Sequence, residues 1–186
     1  VQYFAHDFDA AYAQLSRKLE KMGMHSSDTA ELSFEDVRVP ASNLLGEEGK
    51  GFYHIAWELQ GERLVAAAGS HAGAERMIEK TLEYAKEREA FGRPIGKFQA
   101  IRHKFAEMAT KTEAAKQFTY ATAWRFGNGE YPVREITMAK LYCGELLNKV
   151  VDRCVQAHGG FGYSDEFPIS RAFRDARLIT IGGGTS

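Results

Sequence analysis

The sequence predicts a mainly α-helical protein, a four-helix-bundle-like fold of three long antiparallel helices and one shorter helix, preceded by a short β segment. Three stretches, residues 52–87, 98–126 and 132–157, repeat apolar side chains at spacings of three and four, the period of a helix face. Glycine- and proline-rich breaks separate these stretches, so each helix has a defined end. Residues 30–39 alternate apolar and polar side chains instead, which predicts a strand.

Two elements are predicted before the bundle. Residues 8–22 repeat apolar side chains at spacings of four and three, which taken alone indicates a short amphipathic helix. Within residues 30–39 the apolar alternation changes phase at Glu35 and Asp36, which predicts a β-bulge there. Pro40 then closes the strand, because proline cannot donate to a β ladder.

Glycine, proline and capping residues define the helix ends. The second long helix stops at Gly127–Gly129, and Pro132 suits the first turn of the third. A shorter fourth helix is predicted to be capped by Ser164 or Asp165 and to end near Ile179.

Composition places the chain among ordinary globular proteins. Of its 186 residues, 44% are hydrophobic and 26% are charged, and the net charge of −1 favours neither nucleic acid nor a membrane surface. No apolar run approaches the ~20 residues of a membrane span. Two cysteines eleven positions apart in one helix predict reduced thiols in an intracellular compartment, and the scattered histidines predict no metal site.

One stretch of the first long helix stands out for its chemistry. Glu62 and Arg63 follow Gly61 in the middle of a largely apolar segment. Glycine costs about 1 kcal/mol relative to alanine in a helix interior, which suggests that something approaches the backbone there. The alternative is a helix edge on which both charged side chains face water.

Three loops offer groups that suit an anionic or nucleotide ligand. The first, residues 88–99, contains Arg88, whose guanidinium fork suits a pyrophosphate, although a solvated helix–helix turn explains it equally well. The second, residues 156–162, has more glycines than a helix C-cap needs, so a ligand can reach its backbone. The third is the terminal run 182–186, which alone is typical of a frayed end.

Taken together, these segments resemble the C-terminal helical domain of the acyl-CoA dehydrogenase family over about residues 18–186. The residues that carry the resemblance are ELSFEDVRVPASNLLGEEGKGF, EREAFGRPIGKFQAI, QAHGGFGY and IGGGTS, in the family's order and with its separations. The resemblance implies a middle β-domain tail and linker over residues 1–48 and the helical domain over 49–186, without its closing helix. It therefore implies a fragment of a longer enzyme, and we expect that fragment to be inactive alone.

The resemblance also implies a reaction. Family members use FAD to convert an acyl-CoA thioester to the trans-2-enoyl-CoA, with a carboxylate removing the α-proton. Most members carry that carboxylate just before the terminal Gly-Thr pair, where this chain has Gly183. A branch similar to isovaleryl-CoA and long-chain dehydrogenases carries it before an arginine on the first long helix, which implies Glu62 as the base and Arg63 beside the substrate. The amide of Gly183 matches the family's carbonyl-polarising group.

The resemblance also implies contacts with FAD for individual residues of this chain. Some match groups that reach FAD bound mainly by a neighbouring subunit, and others match contacts within one subunit. The first set comprises Arg88, Phe91, Gln99, Gln156, Gly159 and Gly160, and the second comprises Thr185 and Ser186.

Partners and compartment are implied in the same way. The resemblance implies an acyl-CoA substrate, a homotetramer or dimer, an electron-transfer flavoprotein as electron acceptor, and a bacterial cytoplasm or mitochondrial matrix. Two alternatives remain open at this point: a related acyl-CoA oxidase or flavin enzyme, and a non-catalytic helical module that only assembles with other subunits.

Overall fold

The computed structural model describes residues 13–186, and its dominant feature is a bundle of long helices. The predicted mainly α fold is confirmed, and the ends of the long helices lie within a residue or two of those predicted. The chain divides into two compact units, with the boundary between Ala56 and Trp57. The helices are α1 (Gly51–Glu87), α2 (Gln99–Gly127), α3 (Val133–His158), α4 (Gly160–Tyr163) and α5 (Pro168–Ala176).

The first unit contains a β-hairpin where a helix was predicted. Strand β1 (Ala13–Lys18) pairs antiparallel with β2 (Ala30–Phe34), so the predicted helix over 8–22 is wrong for residues 13–18. Residues 8–12 lie outside the described part of the chain. The apolar spacing is local information, whereas strand pairing supplies backbone hydrogen bonds from a segment distant in sequence, and that pairing decides the conformation.

The irregularity in this hairpin lies on β1 rather than at the predicted place. The register shifts between Leu15 and Arg17, whereas β2 ends at Phe34 before the expected bulge is reached. Asp36 has a φ of 49°, the left-handed conformation that aspartate tolerates, and it turns the chain out of the strand. The phase change seen in the sequence therefore marks the end of a strand rather than a bulge.

Helix α3 supplies much of the core of the second unit. Its buried apolar side chains recur at spacings of three and four, so they form one continuous stripe. Alanines of α1 and α2 pack in the same core, and such small side chains allow helix backbones to come close. The core is formed by Ala67, Ala74, Ala85, Phe105, Met108, Ala115, Ala139, Cys143, Leu146, Val150, Cys154 and Ile169.

The start of α5 differs from the prediction. Its N-cap residue is Phe167, with no side-chain capping hydrogen bond, so the assignment of Ser164 or Asp165 as the cap is wrong. The Asp165 carboxylate instead accepts hydrogen bonds from Ser170 Oγ at 2.8 Å and from Arg174 Nη1 at 2.7 Å. The carboxylate therefore binds side chains of α5 rather than its free amides. A 3₁₀ turn, Arg177–Thr180, continues α5 and leads to the terminal glycines.

Candidate functional site

A cleft of about 580 Å³ lies where the C-terminal end of α1 meets the break between α3 and α4. Four of the residues that the sequence assigned to the cofactor line this cleft together: Arg88, Gln156, Gly159 and Gly160. They come from two segments about seventy positions apart in the sequence, so the fold, rather than chain proximity, brings them together.

Glycine is required in this cleft for two separate reasons. Gly159 has a φ of 62°, the left-handed conformation that ends α3 without a Cβ penalty. At Gly162 a Cβ would lie 2.4 Å from the carbonyl oxygen of Val155, closer than any side chain can approach. In contrast, a Cβ at Gly160 would meet nothing within 4 Å, so the backbone there is open to a ligand.

An aromatic pair that the sequence analysis did not identify also lines the cleft. The rings of Tyr84 and His158 stack with centroids 4.3 Å apart, and the Tyr84 hydroxyl donates to the carbonyl oxygen of His158 at 3.3 Å. His158 Nδ1 lies 2.8 Å from the carbonyl oxygen of Cys154 and so must carry hydrogen. In the neutral ring Nε2 is then an acceptor. The available signal was Tyr84, one helical turn before Arg88.

Within the cleft, Arg88 lies over the Phe161 ring, 5.5 Å from its centroid. The two other predicted cofactor residues of the 88–99 loop, Phe91 and Gln99, do not line the cleft. Phe91 occupies the tip of a small hairpin between β3 (Glu89–Ala90) and β4 (Arg93–Pro94), with a φ of 54° and a side chain 96% exposed. Gln99 is the exposed first residue of α2. Both side chains are directed to the surface of this chain.

A second cleft, of about 330 Å³, lies between α1, α3 and the terminal glycines. Arg63 Nε donates to the carbonyl oxygen of Gly183 at 2.8 Å, and Lys140 Nζ donates to the carbonyl oxygen of Gly184. Within residues 13–186 the amide of Gly183 donates no backbone hydrogen bond, so its N–H is available to another acceptor. The cleft is lined by Arg63, Thr137, Lys140, Leu141, Gly183, Gly184, Thr185 and Ser186.

Lys140 is a member of this cleft that the sequence analysis missed. Its side chain is buried, with the residue only 6% exposed. Burial lowers the pKa of its ammonium group below the usual value, and the nearby Arg63 guanidinium lowers it further. A signal was present, because Lys140 falls between Ile136 and Cys143 in the apolar stripe of α3, where a lysine is unusual.

Glu62 is exposed on α1, next in sequence to the arginine that binds Gly183. Successive residues on a helix point about 100° apart, so Glu62 does not share the direction of Arg63. A Cβ at Gly61 would meet nothing within 4 Å, so no group among residues 13–186 requires glycine there. The close approach expected at Gly61 is therefore absent from the described part of the chain.

Comparison with known proteins identifies the family. The model of the acyl-CoA dehydrogenase C-terminal domain matches residues 49–186. The chain belongs to the acyl-CoA dehydrogenase family. It is 45% identical over 170 residues to the mitochondrial long-chain specific acyl-CoA dehydrogenase of Mus musculus, covering 91% of this chain and 40% of that protein.

Solved acyl-CoA dehydrogenases share the fold. A probable acyl-CoA dehydrogenase from Mycobacterium abscessus superposes with a TM-score of 0.91 at 47% identity, covering 94% of this chain and 46% of that one. An acyl-CoA dehydrogenase from Bacillus anthracis, solved in complex with FAD, superposes with a TM-score of 0.90 at 34% identity, covering 94% and 33%. The chain thus spans less than half the length of each of these three proteins.

The described residues contain neither a candidate membrane span nor a candidate metal site. No helix within residues 13–186 is long and apolar enough to cross a bilayer. Nor does this part of the chain gather three or more histidine, cysteine, aspartate or glutamate side chains in an arrangement that could hold a metal ion.

Proposed function

We propose that this chain is the C-terminal helical part of an FAD-dependent enzyme that dehydrogenates an acyl-CoA thioester to the trans-2-enoyl-CoA. The observation that supports this most directly is the second cleft. There the free amide of Gly183 lies in a segment bound by Arg63, and Arg63 directly follows the carboxylate of Glu62 on α1. The segment that offers a hydrogen-bond donor for a thioester oxygen is thus held by the residue that follows the candidate base on α1.

In the proposed reaction the Gly183 amide donates to the thioester carbonyl oxygen, which makes the α-proton more acidic. Glu62 removes that proton as a general base. FAD, when bound, supplies the acceptor for the hydride that leaves the β-carbon. Arg63, which also lines the cleft, is assigned beside the substrate.

The first cleft fits the pyrophosphate and adenosine parts of such a cofactor. Arg88 supplies a cationic fork, and the backbone at Gly159 and Gly160 is open because neither glycine has a neighbour within 4 Å of a Cβ position. Gln156 adds an amide side chain on the same lining. We assign these residues to the cofactor, with Phe91 and Gln99 reaching it from the exposed hairpin and helix start, and Thr185 and Ser186 at the second cleft.

The spacing of the two clefts supports an oligomer. Arg63 and Arg88 are 25 positions apart along a continuous helix and its first following residue. At 1.5 Å per residue this separates them by about 37 Å. We therefore infer that one chain contributes to two flavin sites, each completed by another copy, as in a homotetramer or dimer.

The remaining assignments follow from family membership. We propose an electron-transfer flavoprotein as the electron acceptor and a bacterial cytoplasm or mitochondrial matrix as the compartment. Residues 1–48 are proposed to be the tail of a middle β domain with its linker, and residues 49–186 the helical domain.

The test uses the full-length parent enzyme, with Glu62→Gln compared with wild type. The amide is nearly isosteric but is not a base at neutral pH, so flavin binding should persist and anaerobic flavin bleaching by acyl-CoA should slow ~10²–10⁴-fold. Glu58→Gln, an exposed carboxylate one turn earlier on α1, is the matched control and should bleach at the wild-type rate. Bleaching of Glu62→Gln at the wild-type rate would remove Glu62 from the reaction.

A rescue variant sharpens the same test. Gly183→Glu in the Glu62→Gln background places a carboxylate where most family members have one. A Cβ at Gly183 would lie 3.9 Å from both Arg63 Cγ and Lys140 Cε, which are ordinary van der Waals contacts for that atom. However, the φ of 67° costs a non-glycine residue about 1–2 kcal/mol, so we expect partial rescue at best.

Re-oxidation of reduced enzyme by oxygen rather than by an electron-transfer flavoprotein would favour an oxidase.

A further inference from the structure

Two cationic side chains bind two consecutive carbonyl groups at the end of the chain. Arg63 Nε, on α1, donates to the oxygen of Gly183 at 2.8 Å. Lys140 Nζ, on α3, donates to the oxygen of Gly184. Two helices distant in sequence thus hold adjacent peptide groups of one glycine segment.

That segment has little conformational restraint of its own. Gly183 and Gly184 have φ values of 67° and 115°, and neither has a Cβ to limit rotation. Among the residues that the structure describes, backbone hydrogen bonds hold the segment only at its two ends, from the Gly182 amide to Leu178 O at 2.9 Å and from the Ser186 amide to Thr180 O at 3.1 Å. Between these points, the orientation of the peptides depends on the two cations.

In the described part of the chain, no carboxylate partner explains the position of the two cations. Within residues 13–186 neither Arg63 nor Lys140 forms a salt bridge. They lie close enough to repel each other, and Lys140 is only 6% exposed. A buried ammonium group next to another cation is unfavourable unless its hydrogen bonds compensate, so the bond to Gly184 accounts for its presence.

We propose that Lys140 is a positioning residue, which helps to orient the Gly183 amide toward the thioester oxygen by holding the Gly184 oxygen, two peptide groups after that amide. A single hydrogen bond from Arg63 leaves the Gly183–Gly184 peptide free to rotate about its oxygen. A second attachment one peptide further along removes that freedom. The Gly183 N–H belongs to the preceding Gly182–Gly183 peptide, which is then held between two fixed neighbours: the peptide whose Gly182 amide donates to Leu178, and the peptide held by Arg63 directly and by Lys140 through the next peptide. This inference rests on the proposed function, because the amide needs a direction only if it polarises a substrate carbonyl.

The test measures carbonyl polarisation separately from hydride transfer. The full-length FAD-loaded parent is mixed with a 3-thiaacyl-CoA, in which sulfur replaces the β-carbon, so the α-proton can leave but no hydride can follow. The long-wavelength absorbance of the enolate–flavin pair, titrated against pH, gives the apparent pKa of the bound ligand. Lys140→Met removes the donor and its charge, whereas Lys140→Arg retains both.

We expect Lys140→Met to raise the apparent pKa of the bound ligand by about 1 unit or more, which corresponds to tenfold weaker acidification of its α-proton. A shift of this size is reasonable because a misplacement of ~1 Å at a reacting group can reduce rates 10²-fold. Lys140→Arg should restore part of the shift. Lys149→Met, an exposed lysine on the same helix that pairs with Glu145, should leave the pKa unchanged. If Lys140→Met loses its flavin, Lys140→Gln, whose shorter and uncharged side chain is a weaker donor to Gly184, is measured in its place and should raise the pKa in the same direction but by less.

The outcomes separate the two proposals. A wild-type enzyme that gives no such absorbance with any 3-thiaacyl-CoA overturns the proposed function and this inference together. A wild-type enzyme that gives the absorbance, with an unchanged ligand pKa in the Lys140 variants, overturns only the positioning role. In that case a lower thermal midpoint in Lys140→Met would assign Lys140 to packing alone.

Discussion

Replacing Gly162 with alanine tests the packing beneath the first cleft. The new Cβ would lie 2.4 Å from Val155 O, 3.1 Å from Val155 C and 3.0 Å from His158 Cβ. Two of these three atoms are backbone of α3, which cannot rotate away as the end of a flexible side chain can. The helix end must therefore move by several tenths of an ångström, or α4 must unwind.

The size of the effect is clearest as a difference between two variants. Overpacking of a well-packed interior costs ~1–3 kcal/mol. Gly→Ala also reduces the entropy of the unfolded chain, which stabilises by ~0.4–1 kcal/mol wherever the backbone tolerates a side chain. Gly160→Ala shares that second contribution but has no neighbour within 4 Å of its Cβ and no positive φ. Gly162→Ala should therefore be less stable than Gly160→Ala by the overpacking cost alone.

Urea denaturation followed by far-ultraviolet circular dichroism measures this difference. With a denaturant dependence of ~2 kcal/mol per molar urea, a gap of 1–3 kcal/mol separates the two midpoints by about 0.5–1.5 M. Equal midpoints for Gly162→Ala and Gly160→Ala would refute the close contact between α4 and Val155. A gap accompanied by a changed dependence on urea would instead mean that the alanine altered the compactness of one state.

Two further predictions concern acid stability and cofactor retention. Burial, followed by the Lys116 charge, holds the pKa of His71 below its usual 6.5, and neither ring nitrogen has a hydrogen-bond partner within residues 13–186. As the pH falls, the unfolded chain therefore takes up the proton before the folded chain does. The contribution of His71 to stability is complete above about pH 6.5 and is lost as the pH drops from there toward the folded-state pKa. His71→Phe should flatten this pH dependence in urea titrations at several pH values, whereas exposed His103→Phe should not. Arg88→Ala in the full-length enzyme should weaken FAD binding by ~2–5 kcal/mol, measured as flavin loss on dilution, whereas Arg102→Ala should not; retention equal to wild type would remove Arg88 from the cofactor site.

Helix ends could be predicted from the sequence because they depend on local chemistry. The stop at Gly127–Gly129 and the start after Pro132 need only glycine and proline preferences, and both are found in the structure. The segment over 8–22 was misread because its conformation over 13–18 depends on pairing with residues 30–34, which no local period encodes. The α5 cap was misread for a related reason, since Asp165 binds side chains of α5 instead of its amides.

The candidate site residues also divide into those that local sequence indicates and those that only the folded structure reveals. Arg88 and the glycines that follow His158 were identified by type and spacing, and the fold brings them to one cleft. Lys140 was missed because its importance depends on a contact across 44 positions, which only the folded chain brings about. The exposure of Glu62 could not be predicted, because it depends on how the helices pack, which local spacing does not encode.

The two cysteines of the core give the bundle an internal reporter of its own opening. Cys143 and Cys154 are free, and they are 1% and 0% exposed. Burial raises the pKa of both thiols, so the reactive thiolate is disfavoured as well as shielded. Because the chain has no other cysteine, a thiol reagent can react with these two side chains only after α3 has separated from its neighbours. The rate of labelling in the absence of denaturant therefore counts the openings of the bundle directly.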